Sequence, residues 1–168
     1  FKTRNEKNTL MRLIRNLFLC LLVSSCNKVE VQPLNSNQLI SHIKTFKGEK
    51  AVILNVWALW CVPCVEEFPM IVELGEEIKD LEIVFISADF EDQVDEVITF
   101  LNEQKLRSDS FIKREKDESF IFGISPQWSG SLPYTVVYSK EAGIIVDSWE
   151  GKKPESRFRA AINIALSS

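Results

Sequence analysis

Two cysteines, Cys61 and Cys64, are separated by only Val62 and Pro63. Cysteines at this spacing can close a small ring through a disulfide, so the pair can store and release two electrons. The thiolate form of cysteine is the nucleophile in such chemistry, and its abundance depends on the surroundings of the sulfur. The spacing therefore predicts a redox-active dithiol, provided that the fold stabilises one of the two thiolates.

A zinc site and a purely structural disulfide are the alternatives for this pair. Structural zinc usually has four ligands, supplied by a second cysteine pair or by histidines. The chain contains one histidine, His42, and its other two cysteines lie in the N-terminal segment discussed below. A disulfide across so short a loop stabilises a fold only weakly. Redox chemistry is therefore the favoured interpretation, and neither a metal nor a cofactor is expected.

The segments around the cysteines predict how they are positioned. Residues 51–57 are almost wholly apolar and rich in β-branched side chains, which is typical of a strand buried on both faces. An amphipathic pattern follows to about Lys79 and predicts a helix with Pro63 near its start, where no N–H is needed. Cys61 then lies at the helix N-terminus, where free N–H groups and the helix dipole favour a thiolate. Cys61 is the predicted attacking thiol and Cys64 the resolving one.

Alternating strand and helix patterns continue to the C-terminus and predict an α/β fold. Helices are expected at about residues 36–46, 93–104 and 155–165, with a helical turn at 117–122 that ends at Gly123. Strands are expected at 81–88, 133–138 and 144–149, and a further short one at 110–112. This order implies one domain with a central mixed sheet of four to five strands, flanked by helices on both faces.

Residues 1–26 are expected to be a signal segment rather than part of the fold. Basic residues precede the apolar run 17–23, which is too short to span a bilayer as a helix. The run ends in Val23-Ser24-Ser25-Cys26, which resembles the bacterial lipobox and implies a lipid on Cys26. An uncleaved N-terminal anchor is the alternative, and either would place the domain outside the cytoplasm beside a membrane. Residues 27–35 are then a polar tether, and residues 36–168 form the domain.

The charge balance limits the classes of partner. The chain has 20 basic and 24 acidic residues, and loss of the signal segment, with five basic residues and one acidic residue, changes the net charge from −4 to about −8. Such an acidic domain argues against nucleic acid as a partner. Processing also leaves Cys61 and Cys64 as the only free thiols, so no third thiol competes with the pair.

The residues from Leu54 to Pro69 carry a family resemblance. Their sequence, LNVWALWCVPCVEEFP, is similar to the pattern N-F-W-x-x-W-C-x-P-C-x-x-E-x-P of the TlpA/ResA-like branch of thioredoxin-fold oxidoreductases. With Leu132-Pro133 before a late strand, the resemblance covers about Lys50 to the C-terminus. It implies a thioredoxin fold, a location on the periplasmic side of a membrane, protein substrates bound through transient mixed disulfides, and a membrane electron donor. Most members of this branch are reductants, for example of apocytochrome c thiols.

The same resemblance implies roles for individual residues. Asn55 occupies the place of a buried aspartate in cytoplasmic thioredoxins, and Glu67, three residues after Cys64, matches the acid–base glutamate of the branch. A solvated position on an acidic helix is the alternative for Glu67. Pro133 matches the cis-proline of the fold, and Leu132 matches the residue that contacts the bound partner. The alternative there is a trans proline that starts an edge strand.

Trp60, Val62 and Pro63 are expected to form a rim around the dithiol that contacts a protein substrate. Trp57 is expected in the core, and Trp128 either caps the groove near Pro133 or packs inside. Two other functions stay open. A peroxidase on the same fold would need a peroxidatic cysteine in its own pocket, and a non-catalytic binding lipoprotein would need no chemistry at all.

Overall fold

The computed structural model describes residues 29–108 and 110–168. Its strands are β1 Val31–Leu34, β2 Ala51–Trp57, β3 Leu81–Ser87, β4 Ser110–Lys113, β5 Tyr134–Tyr138 and β6 Ile145–Glu150. Its α-helices are α1 Ser36–Ile43, α2 Val62–Glu77, α3 Val94–Glu103, α4 Asp117–Ile124 and α5 Glu155–Leu166, with short 3-10 helices at Lys44–Phe46 and Glu91–Gln93. None of these described helices combines the length and apolarity needed to cross a bilayer. The predicted signal segment and Cys26 lie outside the described residues.

The six strands form one mixed sheet in the order β1-β4-β3-β2-β5-β6. The first four strands in this order are parallel, and β5 and β6 continue the sheet in antiparallel fashion. The α/β class is as predicted, but the sheet has more strands than the expected four to five. The difference includes β1, which lies in the segment expected to be a tether and pairs with β4. This strand has four residues and contains Pro33, which a sheet tolerates at an edge.

Helices cover both faces of the sheet because the side chains of the central strand alternate between them. Ile53 and Trp57 of β2 pack in an apolar layer with α2, α3 and α5. Leu54 and Val56 pack in a second layer with α1 and α4. Every residue of β2 is buried, which explains why this segment is a continuous apolar run. The short loop that leads to Cys61 therefore follows a fully buried strand.

Gly123 lies inside α4 and not at its end, contrary to the prediction, and it is a site of close packing. The helix continues to Ile124. A Cβ atom on Gly123 would lie 2.2 Å from the hydroxyl oxygen of Ser36, at the start of α1. Glycine thus allows α4 and α1 to approach each other on the same face of the sheet.

Candidate redox site

Cys61 and Cys64 are joined by a disulfide, with their Cα atoms 5.3 Å apart. Cys61 is the N-cap residue of α2, and its carbonyl oxygen accepts hydrogen bonds from the backbone N–H groups of Cys64 at 3.0 Å and Val65 at 3.1 Å. Both cysteines are buried, with 5% of Cys61 and 1% of Cys64 exposed. The disulfide therefore lies at the start of the helix that follows the central strand, with Cys64 the less exposed of the two.

An aromatic cluster holds α2 against the sheet. The ring of Phe68, on α2, lies 4.9 Å from that of Trp57 at the end of β2, and it stacks on Phe85 of β3 at 4.0 Å. All three side chains are fully buried, so Trp57 is a core residue, as expected. Such aromatic pairs stabilise a fold beyond the burial of their apolar area. They hold the first half of α2 near the carboxyl ends of β2 and β3.

Glu67 is buried one helical turn after Cys64, with only 2% of the residue exposed. Its carboxylate accepts hydrogen bonds from the side-chain amide of Asn55 at 3.2 Å and from the backbone N–H of Lys153 at 3.3 Å. Burial raises the pKa of Glu67 from 4.5 to about 7, against the opposing effects of these hydrogen bonds and of the charges on Lys152 and Lys153. A solvated position, the alternative considered for Glu67, describes the neighbouring Glu66 instead.

Asn55 links Glu67 to strand β5. Its side-chain amide nitrogen also donates a hydrogen bond to the hydroxyl of Thr135 at 3.1 Å. The two residues face each other in the antiparallel register of β2 and β5, and both are buried. Thr135 therefore orients the amide that contacts Glu67. Sequence reasoning did not identify Thr135, although a hydroxyl residue within the apolar strand that follows Pro133 was a signal that could have found it.

The peptide bond between Leu132 and Pro133 is cis. Since β5 runs antiparallel to β2, the start of β5 lies beside the end of β2, where the loop that leads to Cys61 begins. Trp128, in the loop before β5, is buried, stacks on Tyr134 at 4.7 Å, and donates a hydrogen bond from its indole nitrogen to the carbonyl of Ser131 at 2.9 Å. Of the two expected roles for Trp128, the structure therefore supports packing and not a cap over an open groove.

The predicted rim residues differ in exposure. Trp60 and Val62 are each 66% exposed, and Pro63 is also exposed. Leu132 is only partly exposed, and it packs against both apolar layers of the fold. Two exposed apolar side chains, those of Trp60 and Val62, therefore flank the buried Cys61.

Asp89, which sequence reasoning missed, anchors the loop before Cys61. This buried carboxylate accepts hydrogen bonds from the backbone N–H of Leu59 at 2.9 Å and from the hydroxyl of Ser87 at 2.7 Å. Its other oxygen has no hydrogen-bond partner. Asp89 follows β3, whose end lies beside that of β2. A polar residue directly after a buried parallel strand was the signal that could have identified it.

The mixed sheet, the disulfide at the N-terminus of the helix after its central strand, and the cis-proline before β5 define a thioredoxin-fold protein with a Cys-x-x-Cys centre. The chain belongs to the AhpC/TSA family, whose sequence profile matches residues 27–148.

Individual relatives agree with this assignment. The thiol-disulfide oxidoreductase ResA of Bacillus thuringiensis strain Al Hakam is 28% identical over 103 residues, which cover 61% of this chain and 56% of ResA. The thiol:disulfide interchange protein CycY of Rhizobium leguminosarum bv. viciae is 37% identical over 54 residues, which cover 32% of this chain and 27% of CycY. The chain thus matches little more than half the length of ResA. These similarities confirm the resemblance to the TlpA/ResA-like branch.

Solved structures confirm the fold. A thioredoxin-family thiol:disulfide interchange protein from Chlorobium tepidum TLS superimposes with a TM-score of 0.61 at 23% identity, covering 73% of this chain and 83% of the other. A thioredoxin-related protein from Neisseria meningitidis serogroup B superimposes with a TM-score of 0.58 at 25% identity, covering 74% and 90%. The thioredoxin fold predicted from the sequence is therefore correct.

Proposed function

We propose that this protein is an extracytoplasmic thiol-disulfide oxidoreductase that reduces disulfides in partner proteins through Cys61 and Cys64. The observation that carries the proposal is a buried carboxyl group, that of Glu67, one helical turn after a disulfide at a helix N-terminus. The names of the ResA and CycY relatives, an oxidoreductase and an interchange protein for thiols and disulfides, support the same activity.

Cys61 is the proposed nucleophile of the reduced protein. As the N-cap residue of α2, it lies at the positive end of the helix dipole, which favours the thiolate. The thiolate attacks one sulfur of a partner disulfide. A bond forms between Cys61 and that sulfur, the partner's own sulfur–sulfur bond breaks, and the second partner sulfur leaves as a thiolate that takes up a proton.

Cys64 and Glu67 complete the exchange. A carboxyl group with a pKa of about 7 is able to both accept and give up a proton near neutral pH. Glu67 takes the proton from the Cys64 thiol, and the resulting thiolate attacks the sulfur of Cys61. The Cys61–Cys64 disulfide forms, the mixed disulfide breaks, and the partner sulfur leaves and is protonated. The partner has then gained two electrons and two protons, and a dithiol donor at the membrane must reduce the protein again.

The proposed partner segment binds beside Leu132 and Pro133 and against the exposed side chains of Trp60 and Val62. This surface adjoins the disulfide because β5 starts beside the end of β2, and the loop that leads to Cys61 leaves from there. The partner is a protein with an accessible disulfide, and no nucleic acid or cofactor is needed.

Trapping experiments test the disulfide exchange. Cys64→Ser is expected to accumulate reductant-sensitive covalent complexes with partner proteins, because the mixed disulfide on Cys61 has no resolving thiol. Cys61→Ser is the matched control and should yield none. Equal amounts of complex in the two variants, or no complex in either, would contradict the proposed roles. A non-catalytic binding protein would behave identically with and without Cys61.

The direction of electron flow is tested by the reduction potential of the pair, measured against glutathione. A reductase is expected to have a potential well below that of strong oxidants, and a value of about −120 mV would reverse the proposed direction.

Membrane attachment is proposed to occur through a lipid on Cys26, supported by the lipobox-like sequence before it. Radiolabelled palmitate should be incorporated by the wild-type protein in a bacterial host and lost in Cys26→Ser. Labelling that persists in the variant would contradict this attachment.

A further inference from the structure

The chain leaving strand β6 contacts the loop that carries Pro133. The side-chain carboxylate of Glu150 accepts hydrogen bonds from the backbone N–H of Ser129 at 2.7 Å and from its hydroxyl at 2.6 Å. The next residue, Gly151, donates its backbone N–H to the carbonyl of Pro133 at 2.8 Å. These contacts follow from the sheet, because Glu150 lies opposite Tyr134 in the register of β6 and β5.

The next two residues contact helix α2. The side-chain nitrogen of Lys152 donates a hydrogen bond to the carboxylate of Glu66 at 2.7 Å. The backbone N–H of Lys153 donates to the carboxylate of Glu67 at 3.3 Å. Four consecutive residues, 150 to 153, therefore join the two sides of the site, two of them holding the proline loop and two holding α2.

We propose that residues 150–153 are a positioning segment for Glu67: the Lys153 amide fixes the carboxyl group, and the contacts with the proline loop hold that amide in place. The proposal rests on the proposed function of Glu67 as the proton carrier, but the positioning is a property of the resting protein. The segment makes the carboxyl group and the proline loop one hydrogen-bonded unit. Loosening it should change the proton affinity of Glu67 without altering either cysteine.

The groups around Glu67 come from three elements. Lys152 and Lys153 belong to the positioning segment, Glu66 and the two cysteines belong to α2 or its N-cap, and Asn55 of β2 is a neutral donor. In the oxidised protein the cysteines do not titrate. The two lysines favour the charged form of Glu67, so a test must separate their charges from the amide hydrogen bond.

Two substitutions at one position make this separation. Lys153→Ala and Lys153→Pro both remove the lysine charge, but only proline removes the backbone N–H. The pKa of Glu67 is measured in the oxidised full chain by carboxyl ¹³C NMR titration, with the resonance assigned by Glu67→Gln. Lys153→Pro is expected to titrate about one pH unit above Lys153→Ala, a tenfold higher proton affinity. The same pKa in both variants would overturn the proposal.

A pair of glycine substitutions gives a second test that changes no charge. Gly151 and Gly48 have backbone φ angles of +75° and +83°, and a Cβ atom on either would meet no atom within 4 Å. Alanine at these positions thus introduces similar backbone strain. Gly48 precedes β2, at the opposite end of that strand from the cysteines. Gly151→Ala is expected to raise the pKa of Glu67, and Gly48→Ala to leave it unchanged. Equal values in both variants would show that the segment is only structural.

Measurement of disulfide-exchange rates separates this proposal from the proposed function. If the pKa of Glu67 responds as expected, but Glu67→Gln exchanges disulfides as fast as the wild type, the segment positions Glu67 and the carboxyl group is not the proton carrier.

Discussion

The buried carboxyl group of Glu67 makes a quantitative prediction about stability. Burial raises the pKa of Glu67 from 4.5 to about 7, so the folded protein binds this proton more tightly than the unfolded chain does. Below pH 4.5 both states hold the proton, and Glu67 causes no loss of stability. As the pH rises from 4.5 to 7, the unfolded chain releases its proton first, and the free energy of unfolding falls. Above pH 7 the loss is complete.

The size of the effect follows from the two pKa values. Each pH unit between them is worth about 1.4 kcal/mol, so ionised Glu67 lowers the free energy of unfolding by roughly 3 kcal/mol. Glu67→Gln has no proton to lose and should not show this decline. Because Asn55 and Lys153 donate to different carboxylate oxygens, a glutamine amide, with its single acceptor oxygen, retains only one of these hydrogen bonds. The two proteins are therefore compared by how their stability changes with pH, and not by their absolute stability.

Urea unfolding of the oxidised proteins between pH 4 and pH 8 measures the difference. Between pH 4 and pH 8, the free energy of unfolding is expected to fall by roughly 3 kcal/mol more for the wild type than for Glu67→Gln. Glu73→Gln makes the same chemical change at an exposed position of α2 and should follow the wild type. Parallel curves for Glu67→Gln and the wild type would refute the argument that burial raises the pKa of Glu67.

Substitutions at three further positions test individual side chains. Asp89→Ala removes the acceptor of the Leu59 N–H and is expected to lower the free energy of unfolding in urea by about 1–3 kcal/mol, whereas Asp89→Asn keeps an acceptor oxygen and should lose less; equal losses would contradict this role. Thr135→Val leaves an N–H of the Asn55 amide unpaired in the interior and should lose about 1–3 kcal/mol by the same measurement, while Thr135→Ser should retain most of the stability. Trp60→Ala should change the free energy of unfolding by less than about 0.5 kcal/mol, but in the Cys64→Ser protein it should reduce the yield of trapped partner complexes. An unchanged yield would remove Trp60 from the contact surface.

The redox centre was predictable because its signals are local. The apolar run of β2 gave the observed strand bounds, and the pattern after it gave the start of α2, so the placement of Cys61 and Cys64 followed from adjacent residues. The spacing of Glu67 from Cys64 placed it one turn along the same helix. Its burial was less accessible to sequence reasoning, because part of its surroundings comes from Lys153, 86 residues further along the chain.

The features that were missed depend on long-range pairing. Strand β1 is a strand because it pairs with β4, about 80 residues away, and its own four residues carry little signal. Thr135 contacts Asn55 only through the register of β2 and β5, and Asp89 contacts Leu59 because two parallel strands end side by side. The sequence thus predicts the cysteine pair and Glu67 better than the residues that contact this site through strand pairing.

If the proposed lipid anchor is present, strand β1 also limits how far the domain can move from a membrane. With a lipid on Cys26, as proposed, the sheet begins five residues later, at Val31. An extended chain spans at most about 3.5 Å per residue, so the first strand would lie within about 17 Å of the lipid. A tether that ended at residue 35 would reach about twice as far. The domain would then stay close to the bilayer surface, and its partners would be proteins that present their disulfides at that height.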